Sequence, residues 1–343
     1  MYGKRLLAAA VLVSVACLLP LLLSGPQLTI YVLICLAIIV TCGLSLLMGY
    51  AGQVSFGQGA FYGIGAYTAA MVALSGYPTV VGLILSPMLA MAAAVVLGFP
   101  LLRLKGFYLG FATLAVHLVL LNAVSGIESL GGDIGLKGIP PLKVAGVTFN
   151  TSIEYAYLVS GLAVLTLFLN HQILNSRFGR AFRAVATSEA AAESCGIAVF
   201  NYKTYVFVLS AGYAGLAGGV YAFFFSYVSP SSFALLLSFQ FVVMSVVGGS
   251  RSLLGPVLGA VIVTILVQGL NSLGTMSWMP PLAPIILSYG TYSVLVVVIV
   301  LFAPNGLAPA IFGLMQSFFS SFRPARSKVA TPGCNSEGGA VQQ

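Results

Sequence analysis

Residues 28–67 read LTIYVLICLAIIVTCGLSLLMGYAGQVSFGQGAFYGIGAY, and this stretch decides the fold class. Its first half, Leu28–Leu47, is free of charge and long enough to cross a hydrocarbon core of about 30 Å as a helix. It lacks the alternation of apolar and polar residues that a barrel strand needs, as does Tyr292–Phe302. Its second half carries six glycines between 49 and 65, interleaved with Gln53, Ser55 and Gln58. Small residues let helices approach closely, and Gly59/Gly63 is a small-xxx-small pair. Six glycines with two glutamines exceed what packing alone asks. Irregular backbone at membrane depth is tolerated only where protein buries it or where it lines a cavity. The stretch therefore predicts a broken helix whose backbone and amide groups, with Gln53, Ser55, Gln58, Gly59 and Gly63, line a path. A tightly packed helix with a re-entrant start is the plainer and compatible reading.

The rest of the chain repeats the apolar half of this pattern. Of its 343 residues 59% are hydrophobic and 6% charged, where a soluble domain carries about 25% charged. Mean hydropathy is +1.07. The predicted class is an all-α polytopic membrane protein of about ten transmembrane helices, at 6–24, 28–47, 53–75, 79–102, 107–125, 153–174, 203–227, 232–250, 254–272 and 283–303. The net charge of +8 reads as topology, not as nucleic-acid binding. With the N-terminus inside, Arg103, Lys105, the arginines of 177–183, Arg251, Arg323, Arg326 and Lys328 all fall inside, and both termini are cytoplasmic. The outer loop 126–152 is nearly balanced in charge. Residues 1–24 are read as an N-terminal span rather than a cleaved signal, although Val15-Ala16-Cys17 resembles a lipoprotein box. Residues 25–322 form the main membrane domain, and 323–343 a polar disordered tail.

A second glycine break, Val246-Val-Gly-Gly-Ser-Arg-Ser-Leu-Leu-Gly-Pro-Val-Leu-Gly259, has the character of the first. Its Gly248 and Gly249 join the candidate path residues. Its place in the later half of the chain suggests two related halves, spans 2–5 and 7–10, of opposite orientation.

Residues 175–202 are a charged island in a chain that avoids charge. Phe178, Phe182 and Val185 recur at helical spacing, and Arg177, Arg180 and Arg183 take other faces. Ser188 reads as the N-cap of a second short helix, with Glu189 in its first turn and Gly196 just past its end. Such an element suits a soluble partner that pulls on it; an ordinary solvated loop and a lipid-binding surface helix are the rival readings. His117 is a functional candidate because it lies mid-span, although packing is its commoner role. Glu154 and Trp278 and Tyr289 read as interfacial residues, and Gly215/Gly219 as a packing pair.

Several chemistries are missing. The sequence has no G-x-x-x-x-G-K-[ST] nucleotide loop, and its five cysteines show no metal or disulfide spacing. No charged residue lies near the centre of a predicted span, which counts against an ion-coupled carrier. No enzyme constellation and no cofactor bound by this chain are expected.

Several motifs resemble one family. Gly49–Thr68, Leu101–Leu109 (LLRLKGFYL), Gly131–Pro140 (GGDIGLKGIP), Ser176–Val185 (SRFGRAFRAV), Ala191–Ile197 (AAESCGI), Ser229–Phe233 and Val247–Ala260 resemble the LivM/LivH-type permeases, with 101–109 and 131–140 favouring the LivM branch. These are the membrane subunits of branched-chain amino-acid ABC importers. The resemblance spans about 30–305. It implies a type II ABC importer-like permease fold, in the bacterial inner membrane. It also implies two ABC ATPase subunits holding ATP-Mg, a second LivH-like permease and a periplasmic substrate-binding protein. Arg180, Arg183, Glu189, Ala191, Ala192, Glu193 and Gly196 would be the ATPase-coupling residues. Glu189 departs from the broader coupling pattern, lying one position early relative to Gly196. Asp133 departs too, where the family often shows Pro or Thr-Asn. Urea and short-chain amide permeases share nearly all these motifs.

Overall fold

The computed structural model describes residues 18–104, 106–144, 146–274 and Gly290. The expected span 283–303, nearly all of span 6–24, Trp278, Tyr289 and the tail 323–343 lie outside the described residues. The helices in chain order are α1 (Gly25–Ser45), α2 (Gln58–Leu74), α3 (Thr79–Leu101), α4 (Phe107–Ser125), α5 (Ser152–Asn175), α6 (Arg177–Thr187), α7 (Glu189–Ser194), α8 (Val199–Phe225), α9 (Leu235–Gly248) and α10 (Gly255–Gly274). Among the described residues six helices are long and apolar enough to cross a membrane. The expected third span is shorter than its reading from 53. Helix α2 begins only at Gln58, because Gly52 takes φ +66° and residues 51–57 run without helix.

A helix that is apolar all round sits in a protein core or against lipid, and hydropathy alone does not say which. Here the two classes separate. In its most apolar window α1 is 89% buried and α8 78%, against 22% for α3 and α4. What aims α3 is a stripe of small residues. Gly82, Ser86, Ala90, Ala94 and Gly98 are its buried face, while Ile84, Met88, Val96 and Phe99 look outward. The stripe meets α8. A Cβ at Gly215 would overlap the Ala90 side chain, and one at Gly219 the Ser86 hydroxyl. The Gly215/Gly219 pair is thus a close helix crossing.

Loops collect at two ends. At one end lies 126–151, a folded cap rather than a simple loop. Its strand β1 (Leu136–Lys137) pairs antiparallel with β4 (Tyr227–Val228), and β2 (Lys143–Val144) with β3 (Val147–Thr148). The glycine motif at 131–135 serves this cap: Gly135 takes φ +81° with its α-carbon against the Val228 carbonyl. Thr151 and Glu154 form a capping box that opens α5, so Glu154 closes a helix end. At the opposite end lie the first break, α6, α7 and the turn 249–254.

Candidate functional site

The island folds as two capped helices. The Ser176 hydroxyl accepts from the Phe178 N–H at 3.1 Å and opens α6; that of Ser188 accepts from the Ala191 N–H at 3.3 Å and opens α7. Helix α7 ends in a Schellman turn: Ile197 N–H donates to the Ala192 carbonyl at 3.0 Å and Gly196 N–H to that of Glu193 at 2.9 Å. Gly196 takes φ +78°, which glycine adopts without strain. Val185, Ala192 and Val199 form a small core of their own. Lys203 of α8 is buried and pairs with Glu189 at 2.5 Å. One departure concerns Phe178. The expected stripe Phe178, Phe182, Val185 is buried only at Phe182 and Val185, while Phe178 stays half exposed with its ring against Tyr202 and Tyr205.

The coupling candidates therefore divide. Arg180, Ala191, Glu193 and Gly196 face outward. Ala192 and Glu189 hold the element to α8. Arg183 turns toward the membrane domain, with its guanidinium donating to the Leu174 carbonyl at 3.4 Å.

Helix α6 rests on the first break, and the first break rests on the second. Ala186 lies 3.7 Å from a Cβ placed on Gly52. Gly49 is pressed against the Ser250 carbonyl so closely that no Cβ fits. The Tyr50 hydroxyl donates to the Arg251 carbonyl at 2.6 Å. A pocket of about 340 Å³ opens among these parts, lined by Gly49, Tyr50, Arg183, Ala186, Thr187 and Arg251.

Deeper in, the start of α2 is held by side chains from three other helices. The first N–H groups of a helix have no partner within it. Gly59 N–H donates to the Ser238 hydroxyl at 2.8 Å, which bonds His117 Nδ1 at 3.0 Å. His117 Nε2 reaches the Phe233 carbonyl at 2.9 Å. Thr113 accepts from Phe56 N–H at 3.0 Å, and Gln58 Nε2 donates to the Ser210 hydroxyl at 2.9 Å. The Ser55 hydroxyl accepts from Gly57 N–H at 3.3 Å. Gly63 lies under the Phe233 ring, 3.3 Å from a virtual Cβ. Gln53 is buried with neither amide atom partnered, and Gln58 Oε1 is likewise unpartnered. Gly248 is pressed on the Gly255 carbonyl at the α9–α10 crossing, and Gly249 turns the chain with φ +92°. The eight path candidates gather around the two breaks, and all are buried.

None of the eight is among the described residues that line a cavity between the membrane helices. That cavity, about 170 Å³, lies among α1, α2, α8, α9 and α10. Leu36, Ala37, Phe241 and Met244 give it apolar walls; Gln240 and Thr264 give it polar ones. Thr264 is 8% exposed and its hydroxyl has no hydrogen-bond partner. Sequence reasoning missed this residue and missed Ser210 and Ser238. Their one signal was a polar side chain inside an apolar span. Among the described residues no group of His, Cys, Asp and Glu is placed to hold a metal.

The family described as "Branched-chain amino acid transport system / permease component" matches residues 27–305. The high-affinity branched-chain amino acid transport system permease protein LivM of Salmonella typhimurium is 32% identical over 290 residues, covering 76% of this chain and 67% of that protein. LivM of Escherichia coli gives the same identity and coverage. A probable LivH permease of Methanocaldococcus jannaschii is 27% identical over 242 residues, covering 67% of this chain and 75% of that one. No solved structure matches the chain. The chain belongs to the family of branched-chain amino acid transport system permease components, and within it is of LivM type.

Proposed function

We propose that this chain is the permease subunit of an ATP-driven importer and forms part of the translocation path for branched-chain or other hydrophobic amino acids. The observation that carries this reading is the island's construction. A two-helix element with an outward face of Arg180, Ala191, Glu193 and Gly196 is fixed to α8 by Glu189–Lys203 and seated on the first glycine break. A push on that face reaches the path by contact. The partners are two ABC ATPase subunits, a second LivH-like permease and a periplasmic binding protein that selects the solute. ATP-Mg binds to the ATPases, so this chain performs no bond chemistry. The complete fold has about ten spans in two inverted halves, set in the bacterial inner membrane with both termini cytoplasmic. Contact between the two glycine breaks at Gly49–Ser250 supports the relation of the halves. A urea or short-chain amide solute is the second reading, favoured by the motifs at 49–68 and 247–260 that such permeases share with this chain.

Two exposed substitutions test the reading. In Ala191→Arg or Glu193→Arg, the chain accumulates in the membrane as before, the ATPase subunits no longer co-purify, and ATP-dependent uptake falls at least tenfold, roughly the loss of one central interface residue. Uptake by the single chain in liposomes, driven by an ion gradient without ATP, overturns it.

A further inference from the structure

We propose that the pocket of about 340 Å³ between α6 and the two breaks binds a phosphate group, held by the guanidinium groups of Arg183 and Arg251, and that the bound phosphate restrains the coupling element and slows uptake. The site itself stands on charge and geometry. That it opens to the cytoplasm and acts on uptake rests on the importer reading.

Charge points to an anion. Two arginines line the pocket, and no aspartate or glutamate does. The chain has six acidic residues in all. Glu128, Asp133 and Glu154 lie at the opposite end, Glu189 is paired with Lys203, Glu193 faces outward, and Glu337 lies outside the described residues. A cleft walled by charge of one sign draws counter-ions into it. Arg251 is also the one charged residue of 246–259, in a turn that Gly249 and Ser252 close without it.

The donors point to phosphate. The two hydroxyls of the lining are already committed: Tyr50 donates to the Arg251 carbonyl at 2.6 Å and Thr187 to the Arg183 carbonyl at 2.9 Å. One N–H of Arg183 reaches the Leu174 carbonyl at 3.4 Å, and its charge acts on the Tyr50 hydroxyl, another wall of the pocket. The donors left to a ligand are therefore guanidinium N–H groups. A guanidinium fork pairs bidentately with phosphate, and two forks match its double charge, where a monocarboxylate would satisfy only one. Both arginines are exposed, so binding is modest and weakens as salt rises.

The walls explain the effect. Gly49 and Tyr50 belong to the first break, Arg183, Ala186 and Thr187 to α6, and Arg251 to the second break. A phosphate held by both arginines ties α6 to the turn 249–254 and favours the arrangement that brings them together. Two sources supply such a group at this face: free phosphate, which the ATPases release, and the headgroup of an anionic phospholipid.

The test uses the full chain, alone in detergent for binding and in the complete importer for uptake. Equilibrium dialysis with labelled inorganic phosphate shows saturable binding, and Arg251→Gln weakens it roughly tenfold, the scale of one charge-assisted contact. In phosphatidylcholine vesicles, phosphate on the ATP side lowers ATP-driven leucine uptake roughly fivefold at saturation. In Arg251→Gln it has no effect, and uptake without phosphate matches the wild type. Should vesicles of equal parts phosphatidylcholine and phosphatidylglycerol slow uptake without added phosphate, and Arg251→Gln relieve it, the headgroup is the occupant; an effect of free phosphate alone makes that the occupant. Either result supports the site. Absent binding, or uptake that ignores phosphate and headgroup alike, overturns the proposal. An equal response to potassium chloride at the same ionic strength reduces the effect to screening and overturns it too. So does loss of the ATPase subunits from Arg251→Gln, which assigns the pocket to a partner carboxylate. If that variant does not accumulate, Arg183→Gln in dialysis decides, and unweakened binding overturns the site. An importer that moves no leucine with ATP fails the function reading, and dialysis still decides the site.

Discussion

The two glycine breaks look alike in sequence and do different work. The first, 49–57, opens a gap between helices and is held by borrowed hydrogen bonds, with Thr113, Ser238 and Ser210 reaching in from α4, α9 and α8. The second, 249–254, joins two helices that touch backbone to backbone: a Cβ at Gly248 would overlap the Gly255 carbonyl, and one at Gly259 the Met244 carbonyl. Both breaks turn at a glycine of positive φ, Gly52 (+66°) and Gly249 (+92°); what differs is that close approach at the second joins its own two helices, whereas Gly49 of the first meets the other break at Ser250. The polar residues tell them apart. The first break borrows backbone partners from other helices, Thr113 and Ser238, whereas the second supplies one locally, the Ser252 hydroxyl donating to the Gly249 carbonyl at 3.1 Å.

The largest expected effect lies at the second break. Gly248→Ala sets a methyl into a backbone that cannot yield, so α9 and α10 must separate. The cost exceeds about 3 kcal/mol, and membrane-assembled protein drops accordingly. Thermal stability in detergent measures it. Gly161→Ala, whose Cβ would meet nothing within 4 Å, is the matched control and leaves stability unchanged or slightly higher. Equal behaviour of the two variants would show that proximity does not matter at the second break.

Next is the first break. Ser238→Ala strips a partner from both the Gly59 N–H and His117 Nδ1 in one change. Leaving a buried donor unsatisfied costs about 1–3 kcal/mol. The break should loosen: hydrogen exchange rises over residues 56–60 while α9–α10 stays protected. Exchange rising equally at both breaks would erase the distinction between them.

How much of this was legible beforehand follows from the same physics. Ends marked by local chemistry were readable. The 107–125 reading coincides with α4, which glycines bracket at 106 and 126. Ser188 and Gly196 cap α7 as their residue types predict. The start of α2 was misplaced by five residues, because hydropathy passes smoothly through Gln53–Gly57 while the backbone does not. Nor does hydropathy show which face of an all-apolar helix meets protein; only the small-residue stripe of α3 carried that. The site was legible on one side only. Gln58 and Gly59 stood out, but their partners Ser210 and Ser238 lie 152 and 179 residues away, and no local pattern joins them. Thr264 was invisible for the same reason: a cavity belongs to several helices at once. Glu189 was the least regular of the coupling residues by sequence, and its pairing with Lys203 gives it an inward role that its offset position hid.

The smallest effect tests the contact between the breaks. Tyr50→Phe removes the hydroxyl that donates to the Arg251 carbonyl and keeps the ring. Arg251 is exposed, so water can replace part of the lost bond, and stability falls by only about 0.5–1 kcal/mol. Transport is the more telling readout. If the breaks move as one body, the hydroxyl ties α6, through Gly49–Tyr50, to the turn that leads into α10. Cutting it should then lower the amount of solute moved per ATP hydrolysed while the ATPase rate holds. If each break moves alone, the ratio of uptake to hydrolysis stays at the wild-type value. The two breaks would then be parallel features of one fold, without a shared motion. A small stability change with a clear loss of coupling is thus the result that joins them, and neither measurement alone can do so.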